Sequence, residues 1–169
     1  MATGEKIERK YLAHFIDVNF NSDPTASGVA FDWFRLGVDL EAFAEELNPQ
    51  VDVRKNILGE QNVYHNGYAV QSNVDTFYAY EGDKLLEKLK DIADERATGT
   101  QCQTSRVNAW IHMNGSAIEV TDAWRENCWI VPQSVGGDTS GAQIPFQILN
   151  SGKRVAVNGS FSNGTWTFT

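Results

Sequence analysis

The dipeptide Asn-Gly occurs four times in this chain, at Asn66-Gly67, Asn114-Gly115, Asn158-Gly159 and Asn163-Gly164. Both residues tolerate positive φ, which a two-residue type I′ turn requires at its two central positions, so each pair marks a candidate β-hairpin. The flanking segments alternate with period two. Leu12, Ile16, Val18 and Phe20 share one parity, broken only by His14. Val107, Ala109 and Ile111 lead into Asn114-Gly115, and Ile118 and Val120 lead out. Cys128, Ile130 and Pro132 alternate with Trp129, Val131 and Gln133, and Ile144, Phe146 and Ile148 with Pro145 and Gln147. Short alternating runs between turns predict antiparallel sheets. Pro145 marks an edge or a bulge, since it cannot donate to a ladder. Two Asn-Gly pairs near the end cannot both be tight turns. The spacing favours Asn163-Gly164 as the turn, with Phe161 opposite Trp166, and Asn158-Gly159 as a bulge.

One segment departs from this pattern. Over residues 83–97, Leu85, Leu86, Leu89, Ile92 and Ala93 recur at helical spacing, which predicts one α-helix packing an apolar face on a sheet. Asp83 is placed to cap its N-terminus and Gly99 to supply a left-handed exit. Residues 39–47 carry Leu40, Phe43, Ala44 and Leu47 at helical spacing and read as a second, short helix stopped by Asn48-Pro49. Residues 50–58 read as a strand or extended arm. Asn21–Ala30, with Pro24 and Gly28, reads as a loop, and residues 1–8 as a flexible N-terminal arm. The whole chain of 169 residues is read as one mainly β domain of the α+β type, two packed antiparallel sheets in a sandwich or barrel with one flanking helix and long loops.

The net charge is -8, and its distribution is uneven. Residues 37–60 carry six acids against two bases, whereas residues 100–169 carry four of each. An acidic chain lacks the basic footprint of a nucleic-acid binder. No apolar run approaches the ~20 residues of a membrane span. The polar N-terminus has no apolar core of a secretory signal, which predicts a product that stays in the cell that makes it or leaves by lysis. Cys102 and Cys128 are then expected reduced, although a bridge between them is unreadable from sequence.

No catalytic or metal signature survives inspection, and no cofactor is expected. His14, His65 and His112 lack a His or Cys at metal-ligand spacing. Asp17-x-Asn19-x-Asn21 opens like a Ca²⁺ loop, but its sixth position is Ser22 and its twelfth is Gly28, and both violate the motif. Gly136-Gly137-Asp138-Thr139-Ser140-Gly141 reads as a structured turn with a capping Asp. Trp33, Trp110, Trp124, Trp129 and Trp166 could build a sugar-binding platform, but core or subunit interface is the better expectation for them.

The blocks Leu47-Asn-Pro-Gln50, Lys55-Asn-Ile-Leu-Gly-Glu60, Asp75-x-x-Tyr78-Ala79, Ile92–Gly99 and Gly136–Phe146, in this order, resemble the tail tube (major tail) proteins of long-tailed, non-contractile bacteriophages and related prophages. The likeness runs from about Arg9 to the C-terminus. Lys55–Glu60 and Gly136–Phe146 carry most of it. The resemblance implies a structural virion protein, not an enzyme. It implies packed antiparallel sheets with a flanking helix, in subunits that form hexameric rings stacked into a hollow tube through which DNA passes. Its partners would be further copies of itself, a tape measure protein in the lumen, and tail terminator and baseplate proteins. Assembly would take place in the bacterial host cytoplasm.

On this reading the segment around Asn48, Pro49, Gln50, Lys55, Asn56, Ile57, Leu58 and Gly59 is an inter-ring arm, ordered on stacking. Asp39, Glu41, Glu45, Glu46 and Asp52 are candidate lumen acids that let DNA slide without adhering. Two other readings compete: the tube of a contractile tail or secretion machine, and a carbohydrate-binding β-sandwich. An enzyme ranks last.

Overall fold

The computed structural model describes residues 4–169. The first three residues of the expected N-terminal arm lie outside the described residues, and residues 4–8 are irregular and exposed. In chain order the elements are β1 (Leu12–Asp17), β2 (Trp33–Arg35), β3 (Glu45–Glu46), β4 (Pro49–Lys55), β5 (Gln61–Tyr68), β6 (Gln71–Val74) and α1 (Lys84–Glu95). There follow β7 (Gln103–Asn114), β8 (Ala117–Pro132), β9 (Gly136–Asp138), β10 (Gly141–Gln143), β11 (Phe146–Val157), β12 (Gly159–Ser162) and β13 (Thr165–Phe168). Seven strands form one antiparallel sheet in the order β2-β1-β7-β8-β11-β6-β3. The pairs β4-β5, β9-β10 and β12-β13 form separate two-stranded sheets. The protein is therefore mainly β, with a single α-helix among the described residues, as the turn and alternation patterns predict.

Both faces of the large sheet are covered. On one face Ile16, Cys128, Ile130, Phe146, Ile148 and Val74 pack against Leu85 and Leu89 of α1. On the other, Ala13, Phe15, Val107, Ala109 and Ala123 pack against Phe168, with Trp166 and Trp33 at the margin. The Phe15 ring lies 4.9 Å from that of Trp166 and 5.0 Å from that of Phe168. The second layer of the sandwich is thus the β12–β13 hairpin, much smaller than the sheet it covers. Burial on both faces explains why β1 is interior from Ala13 to Asp17, where parity alone marks only half of it.

The loop Asn21–Ala30 closes the same face. The buried Asp17 carboxylate accepts from the amides of Asn19 (3.0 Å), Asn21 (2.8 Å) and Asp32 (3.0 Å) and so holds both ends of the loop. The false Ca²⁺ loop is a backbone clamp. Arg125, also buried, donates to the carbonyls of Pro24 and Ala26.

Turn chemistry decides the hairpins, and it does so differently at each Asn-Gly. Asn163 (φ 50°) and Gly164 (φ 76°) form the expected turn, with Phe161 opposite Trp166. At the β7–β8 turn the central residues are Gly115 and Ser116, because Asn114 still pairs with Ala117. Only Gly115 has positive φ, so the Gly-first turn wins over Asn-Gly. Asn158 pairs with Thr169 through both of its backbone groups and Gly159 starts β12. A Cβ at Gly159 would stand 2.7 Å from the Phe168 ring, so close approach, not positive φ, requires glycine there. Asn66-Gly67 is no turn at all. It lies inside β5, in a bulge opposite Gln50, with Gly67 at φ 116°.

Two further expectations are corrected. Residues 39–47 are not helical. Asp39 (φ 59°) and Asn48 (φ 42°) adopt left-handed backbone, and the segment wraps irregularly so that Leu40 and Phe43 reach the core. The α1 helix starts as predicted, with the Asp83 carboxylate accepting from the amides of Leu85 (3.0 Å) and Leu86 (3.5 Å). It ends on Arg96 (φ 50°), not on Gly99. Cys102 and Cys128 are both free thiols. Complete burial pushes the Cys128 thiol up to about 12.

Candidate assembly interface

The β4–β5 hairpin projects from the protein with no core of its own. Every residue of β4 and all of β5 except Gly67 are exposed. The pairs Val51↔His65, Val53↔Val63 and Lys55↔Gln61 alternate with Asp52↔Tyr64 and Arg54↔Asn62. Opposed residues share a face, so one face carries Val51, Val53 and Val63. The other carries the Asp52–Arg54 ion pair (3.0 Å), with the Arg54 guanidinium 5.7 Å from the Tyr64 ring centre. The hairpin is amphipathic, and its apolar face has no partner among the described residues.

Its tip is a tightly bonded polar turn that carries two apolar side chains. The Asn56 amide donates to the Glu60 carbonyl (3.0 Å) and the Gly59 amide to the Asn56 carbonyl (3.0 Å). The Asn56 Oδ1 accepts from the amides of Leu58 and Glu60, both at 3.0 Å, while its Nδ2 donates to Glu60 Oε2 at 2.7 Å. Gly59 takes φ 81°. The result holds Ile57, 103% exposed, and Leu58, 78% exposed, out in water.

At the root, the Asn48 Nδ2 donates to the Ala69 carbonyl (3.1 Å) and the Ala69 amide to the Asn48 carbonyl (3.3 Å). The arm therefore runs from Pro49 to Tyr68. The sequence reading of Asn48–Gly59 covers its first strand and its tip but misses β5, the returning strand. Within one chain the arm pairs from Pro49↔Tyr68 to Lys55↔Gln61.

The five candidate lumen acids do not form one group. Asp39 accepts from the Tyr80 hydroxyl, a bond that raises the Tyr80 pKa above its ordinary value. With Glu41, Asp75 and Tyr78 it lines an open cleft. Glu46 is exposed and accepts from the Gln71 amide at 3.4 Å. Asp52 lies on the arm. Glu45 is different, because its carboxylate turns inward, 18% exposed, and stands 3.8 Å from the Arg106 guanidinium.

Around Arg106 lies a buried polar network of which the sequence reading named Glu45, as a lumen acid, and His14, as a break in parity. Arg106, only 1% exposed, donates to Ser72 Oγ (3.0 Å), Asn108 Oδ1 (3.0 Å) and Asn150 Oδ1 (3.3 Å). The Asn108 Nδ2 donates to Glu45. Asn150 Nδ2 donates to Glu126 Oε2 at 2.6 Å, and Glu126 is directly opposite Arg106 in the β7–β8 register. Burial, and then Glu45, raise the Glu126 carboxyl above its ordinary value. His14 completes the network, its Nδ1 2.7 Å from Asn108 Oδ1 and its Nε2 2.9 Å from the Arg9 guanidinium. Burial leads in pushing His14 down to about 4, and Arg106 adds to it. A neutral ring that donates from Nδ1 and accepts at Nε2 satisfies both bonds. Part of this network has a sequence signal, polar residues at apolar parity, in His14 of β1 and Glu126 of β8; Arg106 and Asn108 alternate with Val107 and Ala109 and read as the polar half of β7.

The Gly136–Gly141 block is a hairpin whose Asp138 Oδ1 accepts from the Ser140 amide at 2.8 Å. A Cβ on Gly137 would stand 2.1 Å from the Gly141 carbonyl oxygen. The block bridges to the segment of Tyr78 and Ala79, where Tyr78 pairs with Gln143 and the Ala79 amide donates to the Ala142 carbonyl (2.9 Å). Trp33 and Trp166 flank the core, whereas Trp110 and Trp124 are exposed. The Arg154 guanidinium lies 4.7 Å from the Trp124 ring centre. Among the described residues no three His, Cys, Asp or Glu side chains converge on a metal position, and no helix is long and apolar enough to cross a membrane. Searches with protein-family models and against curated proteins find no match to this chain.

Proposed function

We propose that this chain is a structural subunit that assembles head-to-tail into hexameric rings stacked as the hollow tail tube of a long-tailed bacteriophage or prophage. The observation that carries the reading is the arm: an amphipathic hairpin with Val51, Val53, Val63, Ile57 and Leu58 in water. A two-stranded hairpin is marginal by itself in water, and an exposed apolar strip of this kind marks an interaction surface. A projecting element that fits a surface elsewhere on an identical copy is a heterologous contact, which generates rings when the rotation closes and stacks when it does not.

The remaining accessible acids serve the same reading. Asp39, Glu41, Glu46 and Asp52 would face the lumen or its rim and repel the phosphate backbone of passing DNA. A tape measure protein would fill the lumen before DNA does, terminator and baseplate proteins would close the ends, and the virion tail would be the site of action.

Negative-stain microscopy of concentrated protein tests the reading, with a variant in which Gln50–Gly67 is replaced by a two-glycine link. The full chain should give rings or hollow tubes, and the variant a folded subunit that gives neither. A full chain that remains a monomer at every concentration overturns the reading, as do normal tubes from the armless variant.

A further inference from the structure

We infer that Glu45 is a positioning residue that fixes the direction of the β4–β5 arm by serving as counter-charge to the buried Arg106. The two legs of the arm enter the large sheet side by side. The returning leg runs into β6, which pairs with β11 over Phe146↔Val74 to Leu149↔Gln71. That leg is held inside the sheet. The outgoing leg leaves β3, an edge strand of two residues whose register is only Glu45↔Ser72 and Glu46↔Gln71. Two such pairs, with the exposed Asn48–Ala69 bonds at the root, are a slender hold on a twenty-residue lever. What the β3 pairing does is place the Glu45 side chain beside Ser72, on the face where Arg106 donates to Ser72 Oγ.

Arg106 cannot give up its charge and cannot reach water. Among the described residues Glu45 is the one carboxylate within ion-pair distance of it. Glu126 reaches it only through Asn150. Moving β3 away would leave a buried guanidinium without its counter-charge, which is strongly unfavourable. The network therefore acts on the outgoing leg as a latch: Arg106 and Asn108 grip Glu45, and Pro49 follows three residues after Glu46. This rests on the geometry of one subunit. The tube reading gives it a purpose, because a lever held in one direction pays less ordering entropy on docking.

The test is a spin-label distance measurement on dilute, unassembled protein. Labels go on Leu58→Cys at the arm tip and Lys90→Cys on α1, in a background with Cys102→Ala and Cys128→Ala. Wild-type residues at 45 and 106 should give one narrow distance distribution. Glu45→Gln should lose that narrow peak while far-ultraviolet circular dichroism stays unchanged. Glu46→Gln, which alters the other β3 residue but no buried charge, should keep it. A narrow peak in Glu45→Gln overturns the inference, and so does equal broadening in Glu46→Gln. If Glu45→Gln fails to fold, the double variant Glu45→Gln, Arg106→Gln removes both charges and is measured instead. A broad distribution there supports the latch and a narrow one overturns it. Because the subunit is dilute, failure of the full chain to form tubes would refute the assembly reading alone.

Discussion

Replacing Ile57 and Leu58 together by serine separates folding from assembly. In the folded subunit these side chains are 103% and 78% exposed, so folding buries almost none of their area. Surface substitutions of this kind change stability by about 0.5 kcal/mol or less. For a chain of this size the melting midpoint should move by less than about 2 °C. An interface that covers both side chains gains about 1.5–3 kcal/mol from each, so the double substitution removes about 3–6 kcal/mol per contact. At about 1.4 kcal/mol per tenfold, that is a loss of roughly 10² to 10⁴ in association constant. The assay is sedimentation of polymer across a concentration series, read beside thermal melting of the dilute subunit. The critical concentration should rise by about 10² or more while the melting curve stays in place. A melting midpoint several degrees lower would mean that the tip packs on its own chain. An unchanged critical concentration would mean that assembly does not use the tip. Either result refutes the reasoning.

Two titrations inside the sheet give opposite pH dependences. The His14 pKa is lowered from 6.5 to about 4, so its contribution to stability is present above pH 6.5 and is lost as pH falls toward 4. The loss is about 3 kcal/mol. His14→Gln, read by urea unfolding between pH 7 and pH 4, should flatten that slope. The Glu126 carboxyl is raised, so its contribution is present below its ordinary value and is lost as pH rises through the folded one. Glu126→Gln should therefore melt higher than the unaltered chain at pH 7, with the advantage shrinking as pH falls toward 4.5.

What the sequence made legible was local turn chemistry and single-face periodicity. The Asn163-Gly164 hairpin, the Asp83 cap, the apolar face of α1 and the Asp138 turn each depend on residues within a few positions of one another, and all four appear in the structure. What it hid depended on distant partners. Leu40, Phe43 and Leu47 have helical spacing, but the Asp39 carboxylate meets Tyr80, 41 positions away, and the chain turns left-handed at Asp39 and at Asn48. The tertiary partner overrides the period. Asn66-Gly67 carries the turn signal, yet the arm turns earlier, because Asn56 Oδ1 already binds the amides of Leu58 and Glu60. The Arg106 network was hidden because the alternation test scores apolar residues. Polar residues that satisfy each other on a buried sheet face look like a break in the pattern, as His14 did, or like the solvent-facing half of an alternation, as Arg106 and Asn108 did beside Val107 and Ala109.

The charge that distinguishes the chain also constrains how its copies can associate. Among the described residues the buried acids Asp17 and Glu126 are matched in number by the buried bases Arg106 and Arg125. The interior is balanced, and the net charge of -8 is left at the surface. Copies brought together therefore repel one another, and in the proposed ring the repulsion would grow with each subunit added. The arm itself offers little to offset this by charge, since Asp52 and Arg54 already pair with each other. Association must then be driven by the apolar face and tip, whose burial salt does not weaken, against a repulsion that salt screens over a Debye length of about 8 Å at 0.15 M. The sign follows: polymer should form at lower protein concentration in 0.5 M than in 0.05 M sodium chloride, the reverse of an interface built on ion pairs. Sedimentation at the two ionic strengths reads it directly, and a critical concentration that rises with salt would mean that ion pairs, not the valines and the Ile57–Leu58 tip, hold the copies together.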